Sequence, residues 1–148
     1  MVKIGELEKI VGKKQVVTDE GVLRGYKDDA SFLSGKMPQC VVKPRNAGEV
    51  QKIVRLANEK RLALIPCSSG GPRTRGDTVP EVEGAVMVDL SGMDSIVRMD
   101  KRNKVAMVEP GVSFGALQEE ARREGLRVAM PLAPRKTKSV VGSLLERE

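Results

Sequence analysis

The chain has 148 residues, with 26 Lys and Arg against 20 Asp and Glu, a net charge of +6, two cysteines and no histidine. This length suits one domain with its own core. The lack of histidine excludes the usual zinc sites and any Ser–His or Cys–His catalysis within the chain. No apolar run reaches the roughly 18 to 20 residues of a membrane span, and no signal peptide opens the chain. The sequence therefore predicts a cytoplasmic protein without a membrane span.

Nucleic acid is one partner to weigh for a basic chain. The lysines and arginines are interleaved with acids, however, as in residues 119–124. Only Tyr26, Phe32 and Phe114 could stack on bases. A solvated basic surface is favoured, and we predict no nucleic-acid partner.

The first half of the chain predicts a helix, an arm and a strand–helix–strand unit. Apolar residues at helical spacing predict a helix over 3–11, and a polar, irregular arm with one short helix follows up to residue 38. A strand over 39–44 leads into a helix that Asn46 caps and then into a strand over 62–65. Because the joints are short, the two strands are expected to be parallel.

The second half predicts more strands and a second capped helix. Apolar runs predict strands at 85–90, 95–100 and 104–109, the last two joined as a hairpin. Ser113 caps a helix that Gly125 ends, and residues 127–130 are read as a last short strand. The order predicts an α+β class, a mixed sheet with flanking helices. Residues 1–38 form the N-terminal helix and arm, and 39–148 form the main lobe.

A loop of small residues follows the predicted strand at 62–65. It runs through Pro66, Cys67, Ser68, Ser69, Gly70 and Gly71. Short side chains allow successive backbone N–H groups to converge on an anion such as a phosphate. The alternative is a plain surface turn. Cys67 is placed in this loop and Cys40 at a strand start, and inert packing is the expected role of both thiols.

Several motifs occur in an order that resembles the FAD-binding PCMH-type domain of FAD-linked oxidases, in the vanillyl-alcohol oxidase superfamily. The chain is most similar to the glycolate oxidase and D-lactate dehydrogenase branch. The motifs lie at 40–50, at 65–66 with 69–71, at 86–93 with its Asp-Leu-Ser-x-Met phrase, at 108–112 with its Pro-Gly turn, and at 131–134 with 140–143. Together they span the chain up to residue 143.

The resemblance implies that the glycine loop and the Pro-Gly turn hold the diphosphate of FAD through backbone N–H groups. The residues implied to bind the cofactor are Pro66, Cys67, Ser68, Ser69, Gly70, Gly71, Pro110, Gly111, Val112, Gly142 and Ser143. The last two would lie where the region approaching the flavin begins. No catalytic base and no metal ligand is assigned. Because a histidyl-linked flavin cannot form without histidine, FAD is expected to be non-covalent.

Six positions depart from the pattern of the family. Cys67-Ser68-Ser69-Gly70 stands where Arg-Gly-Gly-Gly is usual, and Pro72 removes a further N–H donor. Ala133 stands where an acid is common, and Ser143 where a second glycine is common. Serine reaches positive φ less readily than glycine, so the two loop serines count against a close backbone approach to the diphosphate.

The family's FAD domain continues well beyond Gly142, and a substrate domain follows it. The sequence here ends six residues after Gly142. We therefore expect the first lobe of the FAD domain of a glycolate- or D-lactate-type oxidoreductase, completed by another protein chain or by self-association and inactive alone. The alternative is a non-catalytic scaffold or regulatory subunit that kept the fold and lost flavin binding. Residues 139–145 are predicted to form part of the exposed surface that meets a partner.

Overall fold

The computed structural model describes residues 2–69, 73, 75–129 and 136–146. The helices are α1 (Ile4–Val11), α2 (Glu20–Lys27), α3 (Ala47–Lys60), α4 (Phe114–Arg123) and α5 (Val140–Glu146), with a 3-10 turn at Lys13–Gln15. The strands are β1 (Val16–Val17), β2 (Cys40–Val42), β3 (Leu64–Cys67), β4 (Val86–Asp89), β5 (Ile96–Asp100) and β6 (Val105–Val108). The predicted α+β class, a mixed sheet with flanking helices, is confirmed.

The main sheet has the strand order β1-β2-β4-β3. Strands β2 and β3 both run parallel to β4, which lies between them, and β1 pairs antiparallel with β2. Every residue of β2 and β4 is buried, which explains why these segments are nearly continuous apolar runs in the sequence. The predicted parallel relation of β2 and β3 is confirmed, although they are not neighbours.

Helices α1 and α3 cover the main sheet. Asn46 caps α3 by accepting a hydrogen bond from the N–H of Glu49 at 3.0 Å, and the Glu49 carboxylate accepts one from the N–H of Arg45 at 2.8 Å. Ile53 of α3 and Leu7 of α1 lie in the same apolar cluster as strand residues of β2 and β4. Residues on both sides of the predicted boundary at 38 therefore share one core.

A separate two-stranded sheet packs on α4. Strands β5 and β6 pair antiparallel, and Asp100 accepts a hydrogen bond from the N–H of Asn103 in the predicted hairpin turn. Ser113 caps α4 through the N–H of Ala116, and Gly125 follows the helix at a positive φ of 72°. The hairpin and both ends of α4 are confirmed, but the hairpin forms its own sheet instead of extending the first.

Three local predictions were wrong. Strand β3 continues through Pro66 and Cys67, which places both in the strand and not in the loop; β3 is an edge strand, where proline is tolerated. Residues 127–129 form no strand, and residue 130 lies outside the described residues. The exposed surface predicted for residues 139–145 is wrong at Ser139 and Val140, which are buried, whereas Leu144 is exposed as expected.

No helix in the described part of the chain has the length and apolar character needed to cross a membrane.

The buried face of α3 provides a test of the core. Ile53 is 1% exposed and Val54, its neighbour on the same helix, is 43% exposed. Ile53→Ala is expected to lower the free energy of unfolding by about 2–5 kcal/mol, because it leaves a cavity between α3 and the sheet. Val54→Ala is the matched control and should change it by no more than about 0.5 kcal/mol. Urea unfolding followed by circular dichroism measures both, and equal losses would contradict this packing.

Candidate functional site

The loops at the carboxyl edge of the main sheet form the candidate site. Strands β2, β3 and β4 are parallel, so the residues that follow each of them meet at one edge. Ser68 and Ser69 follow β3 there, and the segment 90–93 follows β4. In open sheets of parallel strands, ligands bind in the crevice outside these carboxyl ends.

The Pro110-Gly111 turn packs against the segment after β4. The N–H of Gly111 donates to the carbonyl of Met93 at 2.7 Å, and the N–H of Val112 donates to the carbonyl of Glu109 at 3.1 Å. A Cβ atom on Gly111 would lie 2.4 Å from the Ser91 carbonyl oxygen. Glycine is therefore required by close backbone contact, and the N–H groups of the turn hold the turn itself in place.

Ser139 connects the glycine loop with the Pro-Gly turn. Its hydroxyl donates to the carbonyl of Pro110 at 2.6 Å and receives a hydrogen bond from the hydroxyl of Ser68 at 3.1 Å. Its backbone N–H donates to the hydroxyl of Ser69 at 2.9 Å. Ser68 and Ser69 of the loop and Pro110 of the turn are thus joined through one residue, Ser139.

The main chain around Ser139 fixes its position. The N–H of Phe114 donates to the carbonyl of Lys138 at 3.0 Å, and the N–H of Val140 donates to the carbonyl of Val112 at 2.9 Å. Ser113 and Ser139 form an antiparallel bridge between these two bonds. The Ser139 hydroxyl also accepts a hydrogen bond from the N–H of Gly142 at 3.0 Å, which caps the start of α5.

Helix α2 and the arm after it contact residues that follow the glycine loop in the sequence. The guanidinium of Arg73 lies 4.7 Å from the centre of the Tyr26 ring and donates to the carbonyl of Gly25, a cation–π arrangement. The N–H of Gly76 donates to a carboxylate oxygen of Asp29 at 2.7 Å. The N-terminal region therefore fixes residues that follow the glycine loop.

A polar pair, in which Asp89 is buried and Tyr26 is partly buried, lies beside these contacts. The Tyr26 hydroxyl donates to Asp89 at 2.9 Å, and the other carboxylate oxygen of Asp89 accepts from the N–H of Ser91 at 3.0 Å. Burial, together with the charge of Asp89, raises the pKa of Tyr26 above its ordinary value. Asp89 thereby ties α2 to the segment on which Gly111 packs.

Both cysteines lie in the main sheet, where burial controls their chemistry. Cys40 begins β2 and Cys67 ends β3, and both side chains are buried. Burial raises the pKa of the Cys40 thiol to about 11 and that of the Cys67 thiol to about 12. Because the thiolate is the reactive form, neither is a nucleophile at neutral pH.

The remaining predicted site residues fall into two groups. Gly70 and Gly71 lie outside the described residues, as do Pro72 and Ala133, two of the departures noted in the sequence. Gly142 and Ser143 lie in the first turn of α5, and both are buried. The structure connects Gly142 to the loop and the turn through Ser139, and the N–H of Ser143 donates to the carbonyl of Ser139 at 3.0 Å.

Sequence reasoning missed Ser139 as a member of the site. Its signal was a serine directly before an apolar stretch, which is typical of a helix cap. Its partners Ser68 and Ser69 are 71 and 70 residues away in the sequence. A local pattern therefore reveals the cap but not the bonds across the site.

The residues at this edge fit a diphosphate. Ser68 and Ser69 have small side chains, which leave room near their backbone. The two acidic groups nearby, Asp29 and Asp89, already accept hydrogen bonds from N–H or hydroxyl groups of the protein. The charge of Arg73 lies on the loop's flank, and such positive groups favour anions. Within the described residues, no three His, Cys, Asp or Glu side chains are grouped as a metal site would require.

Residues 38–147 match the model of the FAD binding domain. The chain belongs to this family. A D-2-hydroxyglutarate dehydrogenase of Stutzerimonas stutzeri is 30% identical over 141 residues, which cover 95% of this chain and 30% of that protein. A D-lactate dehydrogenase of Anaerostipes hadrus is 32% identical over 126 residues, which cover 83% of this chain and 26% of that protein.

The fold is also that of a solved enzyme. The crystal structure of p-cresol methylhydroxylase with substrate bound superposes with a TM-score of 0.84 at 24% identity, over 97% of this chain and 28% of that chain. The resemblance to PCMH-type FAD-binding domains is therefore confirmed, and FAD is the cofactor of the family. The chain spans less than a third of the length of these relatives.

The packing of the Pro-Gly turn can be tested with two glycines. Gly111→Ala is expected to lower the free energy of unfolding by about 1–3 kcal/mol, because the new methyl group meets backbone carbonyls that cannot rotate away. Gly92 lies in the segment that Gly111 contacts, and a Cβ there would meet nothing within 4 Å. Gly92→Ala is therefore the control, and chemical denaturation compares the two. Equal stability of both variants would contradict the close contact.

Thiol chemistry tests the burial of the two cysteines. At pH 8 we expect Ellman's reagent to modify Cys40 and Cys67 only as fast as the native structure opens, because burial suppresses the thiolate at both positions. Addition of urea should release both thiols together. The variants Cys40→Ala and Cys67→Ala each leave one thiol, so they show which cysteine gives each phase of the reaction with the reagent. Immediate modification of either cysteine in the native protein would contradict this assignment.

Proposed function

We propose that this chain supplies the diphosphate-binding lobe of an FAD-linked oxidoreductase that oxidises a 2-hydroxy acid of the glycolate or D-lactate type. The observation that carries the proposal is the meeting of the glycine loop and the Pro-Gly turn at Ser139, at the carboxyl edge of the main sheet. The relatives named for D-2-hydroxyglutarate and D-lactate support the substrate class.

The chain's own part in this function would be to bind and orient the diphosphate of FAD. FAD, when bound, would supply the hydride acceptor. The backbone of the loop that begins at Ser68 would hold the diphosphate, with the Pro-Gly turn as its neighbour. No residue of the chain is assigned to proton transfer, so the base that acts on the substrate would come from the part of the enzyme that this chain does not contain.

We further propose that another protein chain completes the FAD and substrate domains by covering the hairpin β5–β6. Val97, Val105 and Met107 are more than half exposed on this hairpin, while Ile96 and Val108 face the α4 cluster. A two-stranded sheet is marginal by itself, and grouped exposed apolar residues mark interfaces. The relatives carry more than two thirds of their length beyond the matched part. This supports a partner chain that supplies the region corresponding to that remaining length.

An apolar cavity strengthens the case for a partner on this side. It has a volume of about 450 Å³ and lies between the hairpin and α4. Met99, Leu117 and Val128 are among the residues that line it, with Lys104 and Arg127 as the charged members. A partner that inserts apolar side chains here would bury surface that the chain by itself leaves accessible.

The loop serines favour a second candidate, a non-catalytic scaffold or regulatory subunit. Ser68 and Ser69 stand where the family usually has glycine, and their hydroxyls bond within the protein. A lobe that has lost its glycines would keep the fold without needing the cofactor. The two candidates differ in whether the completed assembly holds flavin.

The isolated chain is expected to bind FAD more weakly than micromolar and to turn over neither D-lactate nor glycolate nor D-2-hydroxyglutarate. Ligand pockets bury about 70–90% of their ligand, and a half-site leaves the flavin ring in water, where salt screens the diphosphate contacts. Titration of FAD into the purified chain, followed by flavin fluorescence, measures the affinity. Micromolar binding or turnover by the monomer would contradict the need for completion.

Mixing the chain with the polypeptide that carries the rest of the FAD and substrate domains separates the two candidates. A yellow complex that oxidises one of the three acids supports the enzyme, and a colourless, inactive complex supports the scaffold. Met107→Lys on the exposed hairpin should prevent assembly, whereas Val54→Lys on the exposed side of α3 should not. Assembly unaffected by Met107→Lys would overturn the proposed docking face.

A further inference from the structure

The two serines of the glycine loop have a specific structural use. Ser68 and Ser69 are the positions at which this loop departs from glycine, and glycine is the residue that gives backbone freedom. Both hydroxyls bond to Ser139, one to its hydroxyl at 3.1 Å and one to its backbone N–H at 2.9 Å. The serine side chains therefore turn toward the Ser139 segment.

Ser139 is buried, so its bonds are made without competing water. It is 1% exposed, and its hydroxyl takes part in three hydrogen bonds: it donates to the Pro110 carbonyl and accepts from the Ser68 hydroxyl and from the N–H of Gly142. One hydroxyl thus joins the loop after β3, the Pro-Gly turn and the start of α5. Buried networks in which each group has a partner make a structure rigid.

We infer that Ser68, Ser69 and Ser139 form a hydroxyl clamp that fixes Ser68 and Ser69, the residues at the start of the proposed diphosphate loop, before the ligand arrives. Ser139 is the positioning residue of the clamp. The hydroxyls of both serines are engaged by Ser139, so the backbone of Ser68 and Ser69, and not their side chains, is the part that would meet the ligand. A loop that is already ordered loses less conformational entropy on binding.

This inference rests on the proposed function only in naming the loop as the diphosphate loop. A simpler role for Ser139, as a cap of α5 alone, makes a different prediction. The cap bond runs from the N–H of Gly142 to the Ser139 hydroxyl and involves neither loop serine. Changes at Ser68 and Ser69 therefore remove the clamp and leave the cap in place.

Amide hydrogen exchange read by mass spectrometry tests the clamp in the full chain without FAD. Ser139→Ala should speed exchange about ten-fold in the peptides around 66–71 and 108–115 and in α5, because it removes bonds to all three. The double variant Ser68→Ala with Ser69→Ala should speed the loop to a similar degree and leave α5 unchanged. Adding Ser68→Ala to Ser139→Ala should have little further effect, since the bond between them is already lost.

Three further variants keep the result interpretable. Ser34→Ala removes an exposed hydroxyl far in sequence from the clamp and should change nothing. Ser139→Thr keeps the hydroxyl and should restore slow exchange in the loop. Ile53→Ala lowers stability through the core, so it should speed exchange in β4 and α3 as well, which the clamp variants should not.

Two results would overturn the clamp: loop exchange that is unchanged in the double serine variant, or a Ser139→Ala effect confined to α5. FAD affinity of the completed assembly gives an independent reading. Ser139→Ala should raise the FAD dissociation constant about ten-fold while Ile53→Ala leaves it within two-fold. If exchange behaves as expected and no variant or wild type binds FAD, the clamp stands and the proposed function fails.

Discussion

The insertion of β4 between β2 and β3 is the constraint on which the rest of the structure depends. All three strands are parallel, and the two inner ones are fully buried. Parallel pairing sends every following loop to the same edge, so segments that are far apart in sequence meet there. The burial of an almost unbroken apolar strand provides the free energy that keeps this edge fixed. Without the buried strand β4, Asp89 and the segment that supports Gly111 would have no fixed position.

Much of this fold could be predicted because its signals are local. Asn46 and Ser113 cap helices at the expected positions. The apolar face after Ser113 is buried at Phe114 and Leu117, and the face after Asn46 is buried at Ile53 but not at Val54. The strand ends were less predictable. Pro66 suggested that β3 had ended, but the proline sits on an edge strand, where its missing N–H removes no bond to β4.

The site was predictable in its parts and not in its connections. The loop and the turn were recognised from Gly, Ser and Pro at characteristic positions. The Ser139 hydroxyl joins them because segments 112–114 and 138–140 form an antiparallel contact. No periodic pattern in the sequence predicts that contact. From the sequence, the loop serines count only against a close backbone approach to the diphosphate, because no local pattern shows that the Ser69 hydroxyl has a partner 70 residues away.

Pro66 also affects how the sheet meets other molecules. The carbonyls of Ala63 and Cys67 accept hydrogen bonds from β4, and the alternation along a strand places position 66 on the outward side. The free edge of β3 thus lacks a donor in its middle. A strand from a second molecule cannot form a continuous ladder there, which guards the sheet against edge-to-edge aggregation. The proline that ends the apolar run in the sequence therefore also opposes the pairing of a further strand with this edge.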